Sequence, residues 1–340
     1  MLWTPAPSRA AGDPMIHSLW LHERWFLDDR LYPVQFEQAV SPATWFALGI
    51  ALATTIVAVL VWRMIGRREL VPGPIALGMT WENYQRLMSW MPLVIGIHAG
   101  AALLVSGVSA RLFAPNLQLP WHIVGGLLGL AEIAVGLSFL YGALTRVGAV
   151  VLALTWLGGA FLFGPLRLIE HVFLLGIAFF LFASGRGPLS LDMAMERLHK
   201  PYERLTPYAV PALRMLTGLS IVVLAFTEKL WNVPMGVAFL ADHPFNFFPA
   251  LGLNQIDDAR FVLIMGTLEL TLGMLLMSGV FVRLFILLAW VPFNLTLPFL
   301  GWSELIGHLP IYGIMGLLLI WGDNRPEKEN ALVAGMDTHT

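Results

Sequence analysis

Nine apolar runs follow one another along the chain, at roughly 43–63, 90–109, 121–144, 147–163, 167–184, 210–230, 260–281, 284–300 and 305–321. About 20 apolar residues cross the hydrocarbon core of a bilayer, and lipid cannot satisfy free backbone N–H and C=O groups. Runs of this kind must close their hydrogen bonds internally, so the expectation is an all-α integral membrane protein with nine transmembrane helices. The residue content agrees, with 57% hydrophobic and 12% charged residues, where a soluble domain carries about a quarter charged.

Basic residues near the ends of the runs set the orientation. With the N-terminus outside, Arg63, Arg67, Arg68, Arg146, Arg186, Arg197, Lys200, Arg204, Arg283, Arg325 and Lys328 fall inside, while Arg24, Arg30, Arg111, Arg167, Lys229 and Arg260 fall outside. The expected location is therefore the cytoplasmic membrane of a prokaryote, multi-pass, with the C-terminus inside. Residues 1–42 are polar and aromatic, and the first run ends in "WRMIGRR", which reads as a retained anchor. The stretch "HSLWLHERWFLDDRLYP" (17–33) carries His17, Trp20, His22 and Trp25 and reads as an interfacial segment on the outer face.

Several chemistries are excluded at this level. The chain has no cysteine, which removes disulfides, thiol relays and cysteine-held iron–sulfur clusters from this chain. A net charge of −2 offers no basic face for nucleic acid. No phosphate loop, dinucleotide fingerprint or nucleophile elbow is present, and the histidine spacings match no metal motif.

The chain also repeats. A shift of 137 positions lays 129–171 over 266–308 without a gap: Glu132 on Glu269, Gly136 on Gly273, Gly142 on Gly279, Arg146 on Arg283 and His171 on His308. Glu, Arg and His at fixed spacing do not coincide through apolar composition alone. The expected layout is an N-terminal segment and anchor (1–66), two parallel four-helix bundle units (86–192 and 207–322) and a cytoplasmic tail (323–340), the even number of spans making the units parallel. The connector 185–209 divides them. The 232–259 loop is long enough to serve as a docking surface.

Each unit resembles the DoxX/DoxD family of small four-helix membrane proteins. The resemblance lies in the Glu-xxx-Gly-xxxxx-Gly-xxx-Arg helix, read as Glu132/Gly136/Gly142/Arg146 and Glu269/Gly273/Gly279/Arg283, and in the closing segment "SGRGPLSLD" (184–192). It covers about two thirds of the chain, which departs from the family by being a tandem fusion with an extra helix. Of the family's His-Gly…Lys pattern, His98, Gly100 and Arg111 stand in one unit and Lys229 in the other. The resemblance implies a membrane subunit of a quinone-linked oxidoreductase system, with a quinone as ligand and a partner redox subunit docking on 232–259.

Ionisable groups inside the bilayer are costly and so mark sites. Glu132 lies about 21 Å along its helix from Arg146, and His171 opens a later run at comparable depth. Glu269 and His308 repeat that arrangement, which predicts a carboxylate–imidazole pair toward the outer leaflet in each unit. The pair reads either as an acid–base or ligand site, or as an internal contact that pins packing. The second unit adds Glu228, Lys229, Asn294 and Glu304, with Glu304 and His308 four apart on one helix face. His98 reads as a buried, hydrogen-bonded histidine or a ligand. Arg146 and Arg283 read as interfacial anchors or headgroup contacts. A lipid or small-solute transporter is the competing function, disfavoured by the lack of an obviously broken helix; a structural subunit is the third.

Overall fold

The computed structural model describes residues 23–27, 29–195 and 200–322. The tail 323–340 and His17, Trp20 and His22 lie outside the described residues. The fold is all-α: α1 (Pro42–Met64), α2 (Trp81–Ser89), α3 (Met91–Val108), α4 (Ile123–Tyr141), α5 (Thr145–Phe163), α6 (Pro165–Ile169), α7 (Phe173–Ser184), α8 (Thr206–Leu224), α9 (Val233–Asp242), α10 (Asp258–Ser278) and α11 (Val282–Trp321). Among the described residues seven helical stretches are long and apolar enough to cross a membrane. The runs expected at 167–184 and 284–300 give only shorter apolar helices, Phe173–Ser184 and Val282–Leu295. The turn at 170–172 interrupts the first, and a break at Gly301 (φ 67°) divides α11.

α3 packs on α4, α5 on α4 and α7, and α8 on α10, with α1 laid against α10. The α7–α8 and α3–α11 contacts join the two halves through one apolar core that includes Met88, Ile95, Phe139, Phe180, Leu213, Ile314 and Trp321. Glycines let backbones meet at the closest crossings. A Cβ at Gly136 would fall 2.8 Å from Leu104 N and 2.9 Å from Gly100 O; one at Gly273 would fall 2.8 Å from Gly218 O.

The helix ends are finished by buried charges. α4 and α10 stop at left-handed Gly142 and Gly279, and their last carbonyls need donors. Arg186 donates to Phe139 O (2.5 Å) and Leu140 O (3.0 Å). Arg214 donates to Leu276 O and Met277 O. The following helices begin after left-handed Leu144 and Phe281, and carboxylates accept their first amides: Asp192 from Leu144 and Thr145, Glu69 from Val282 and Arg283. Arg146 donates to Phe182 O and Arg283 to Leu319 O. Both arginines, expected as headgroup anchors, are therefore buried and committed to helix-end carbonyls. Each guanidinium satisfies carbonyls that an apolar layer would otherwise leave without a donor.

The two guanidiniums on the α4 and α10 ends arrive by different routes. Arg186 reaches across Gly96, whose Cβ would sit 2.6 Å from Arg186 Nε, whereas Arg214 lies on α8 itself, four residues before the Gly218 crossing. Gly96 holds the same place, four residues before the Gly100 crossing. R186A should lower the thermal midpoint, by orphaning carbonyls worth about 1–3 kcal/mol. G96R added to R186A should recover at least half of the loss, while G96R alone should be destabilising by collision with Arg186.

Candidate functional site

The α8 helix widens into a π-helical turn over Ala225–Leu230 before the chain leaves the bundle. Such widenings free a backbone carbonyl and occur at functional positions. Here Thr227 O accepts from Arg24 Nη2 at 2.9 Å. The turn also buries consecutive charged residues, Glu228 and Lys229. Lys229 Nζ lies 3.0 Å from Glu269 Oε1 on α10 and 3.6 Å from Glu23 Oε1 in the N-terminal segment. The Glu23 amide donates to Glu228 Oε2 at 3.1 Å, and Arg24 pairs with Glu170 at 2.5 Å. Ser220 donates to the Glu170 carbonyl.

A cavity of about 60 Å³ opens between these elements. Its polar end is Glu228, Lys229, Glu269, His308, Thr217 and Ser220; Phe173, Ile221, Leu224, Leu272, Phe293 and Ile311 make the apolar remainder. The His308 imidazole is held between rings, with centroids 5.1 Å from Trp25 and 4.6 Å from Phe293. Its Nδ1 lies 3.2 Å from Glu304 Oε1. Four buried carboxyls (Glu23, Glu170, Glu228, Glu269) face two cations (Arg24, Lys229). That formal excess of negative charge inside a membrane bundle favours proton exchange at the site.

The structure thus gathers four of the sequence-predicted residues, Glu228, Lys229, Glu269 and His308, around one cavity. The Glu269 carboxylate meets Lys229, and the His308 imidazole faces Glu304. In the first half, buried Glu132 accepts the Phe113 amide at 2.9 Å, in place of the predicted His171 partner. The 111–118 loop folds back through the Arg111–Gln118 bridge and delivers that amide. His171 is buried at the start of the turn leading into α7, near Phe173. His98 Nδ1 contacts Val94 O at 2.8 Å, and the side chain packs on Gly313 between the halves. Asn294 is exposed and donates to Trp290 O within its own helix, away from the cavity.

Glu23, Arg24 and Glu170 were not legible in the sequence as site residues. Their partners lie 205, 203 and 146 positions away. The only local signal is a charged pair, "ER", set in an aromatic segment. The 232–259 stretch folds as α9 and an aromatic cluster in which His243 stacks on Phe239 at 4.6 Å and Phe26 packs from the N-terminal segment. No family model, curated protein or solved structure matches the chain.

Burial pushes the Glu23 carboxyl up from about 4.5 to about 8, against the lowering pull of Lys229. The docked segment therefore holds a proton that the undocked one releases. Docking is strongest below the free value and weakens as pH rises from about 4.5 through about 8. Because the chain has no native cysteine, a single W25C variant reports this directly. After correction for thiolate fraction, its labelling rate should rise several-fold between pH 6 and pH 9, and E23Q should flatten that rise.

Proposed function

We propose that the chain is the membrane subunit of a quinone-linked redox system, and that the cavity between α8, α10 and α11 exchanges protons with a quinone-type headgroup. The observation that carries this reading is the Lys229–Glu269 pair at 3.0 Å beside the His308 imidazole, at the end of an otherwise apolar cavity. Ring carbonyls need donors, which an ammonium or an imidazole supplies; reduction to the quinol needs protons, which carboxyls and imidazole can pass. Phe173 and Phe293 offer flat apolar walls to a ring. Partner proteins would supply the electrons, with the 232–259 face as the docking surface. A ring is larger than the present space, so entry requires Trp25 and its segment to withdraw from His308.

The same reading places the chain in the DoxX/DoxD-like group as a duplicated unit preceded by one anchor helix, N-terminus outside, in a prokaryotic cytoplasmic membrane. Left-handed residues at 142/279, 144/281, 164/301 and 185/322, each separated by 137 positions, support the duplication. One observation favours transport as a second reading. α11 breaks at Gly301 and α8 turns π-helical beside the cavity, and discontinuous helices at a polar site are a transporter feature. This reverses the expectation that no broken helix is present.

A quinone-binding titration on the full chain in nanodiscs separates the two. E269Q and H308A should each weaken binding about tenfold or more, and W25A should strengthen it by opening the space beside His308. Unchanged binding in both E269Q and H308A would remove the quinone reading, and proton-coupled solute flux in liposomes would put the transporter in its place.

A further inference from the structure

A second polar space lies on the other side of the His308 turn. It is a cleft of about 210 Å³ lined by Ser106, Ser109 and Arg111 from the first half and by Ser303, Ile306 and Gly307 from α11. Glu304 lies on the same turn of α11, between Ser303 of the cleft and His308 of the inner cavity along the chain. It is fully buried, and its Oε1 approaches His308 Nδ1 to 3.2 Å without making a hydrogen bond. Its Oε2 meets no donor. A carboxyl retained for packing would tie two elements together and take donors from both. The approach to His308 is i,i+4 within one helix, so it does not tie Glu304 to a second element.

Gly307 and His308 are three and four residues after Glu304 and occupy the stripes beside it. Gly307 lines the cleft; His308 lines the inner cavity. The Trp25 ring lies over the bare Gly307 backbone, where a Cβ would come within 2.4 Å of it, and beside the His308 imidazole. The two spaces therefore meet at a single helical turn with an indole across the junction.

We propose that Glu304 and His308 form a proton-transfer pair linking the outer cleft to the inner cavity, with Trp25 as the barrier that keeps the two spaces apart. This rests on reading the inner cavity as a proton-exchanging site. In the inward step Glu304 gives its proton to His308 Nδ1 while the imidazole releases one from Nε2 toward the cavity; Glu304 is then reprotonated from the cleft. One proton enters and one leaves, with no electron moved. The charged and titratable groups facing His308 are Glu304 on its own helix, Glu228, Lys229 and Glu269 across the cavity, and Tyr312, whose hydroxyl is committed to Phe293 O. Arg111 is the charged group of the cleft. Glu304 is a positioning and relay residue that acts through His308.

The test is water-to-imidazole proton exchange at His308, by proton-detected NMR of the full chain in bilayers, with H308Q assigning the signal. Exchange should slow at least about tenfold in E304Q, because an amide cannot carry the proton, and should stay within about twofold in E82Q, which alters an exposed carboxyl on α2. Equal exchange in the wild type and E304Q would overturn the pair. If E304Q does not fold, S303A and S106A, which alter only the cleft mouth, should slow exchange measurably; no effect from either would count against the route. For the barrier, a small impermeant thiol reagent should label I311C only when W25A is also present, and labelling of I311C with Trp25 intact would overturn it. None of these readings needs a quinone, so slowed exchange in a protein that binds no quinone would keep the pair and remove the quinone reading.

Discussion

The buried Lys229 ammonium organises the polar cluster in the second half of this protein. A lone cation in the bilayer interior is strongly disfavoured, and relief comes only from close carboxylates. Glu269 meets it as a carboxylate from α10, and the Glu23 carboxyl, protonated near neutral pH, approaches it from the N-terminal segment. One charge thus fixes the relative position of three chain segments. The π-helical turn that carries Lys229 also presents Glu228 to the Glu23 amide and Thr227 O to Arg24. Removing the ammonium would leave acids buried together without a counter-charge, so the polar cavity exists in its present form because of that residue.

A second constraint acts on the bundle as a whole. Helices ended inside or near an apolar layer leave carbonyls that water cannot reach, and here arginines of both halves satisfy them. Carboxylates do the corresponding work for the amides of the next helix. These groups look like surface charges in the sequence, because they flank apolar runs and follow the positive-inside pattern. Their burial shows that charges at span ends finish the backbone hydrogen bonding.

How far the sequence could be read follows from the same physics. Apolar runs announce helices reliably because lipid leaves no alternative, and an acid or lysine within a run marks a site because its presence there is costly. That logic reaches Glu228, Lys229, Glu269 and His308. The pairing was misjudged because sequence spacing gives depth along a helix but not the direction a side chain faces. Glu132 and His171 share a depth in the sequence reading, yet Glu132 meets a loop amide. Glu23, Arg24 and Glu170 escaped because their partners are far off in the chain and no periodicity connects them. The break in α11 at Gly301 falls in the gap that the sequence leaves between the runs 284–300 and 305–321.

The most direct measurement on the central claim is a double-mutant cycle between Lys229 and Glu269, using K229M, E269L and the pair, followed by thermal unfolding in lipid or detergent. The account predicts that each single change costs about 3–5 kcal/mol by leaving an uncompensated buried charge, and that the double variant is more stable than at least one of the singles. Costs that simply add would mean the two side chains do not depend on each other, and the arrangement built on Lys229 would not hold.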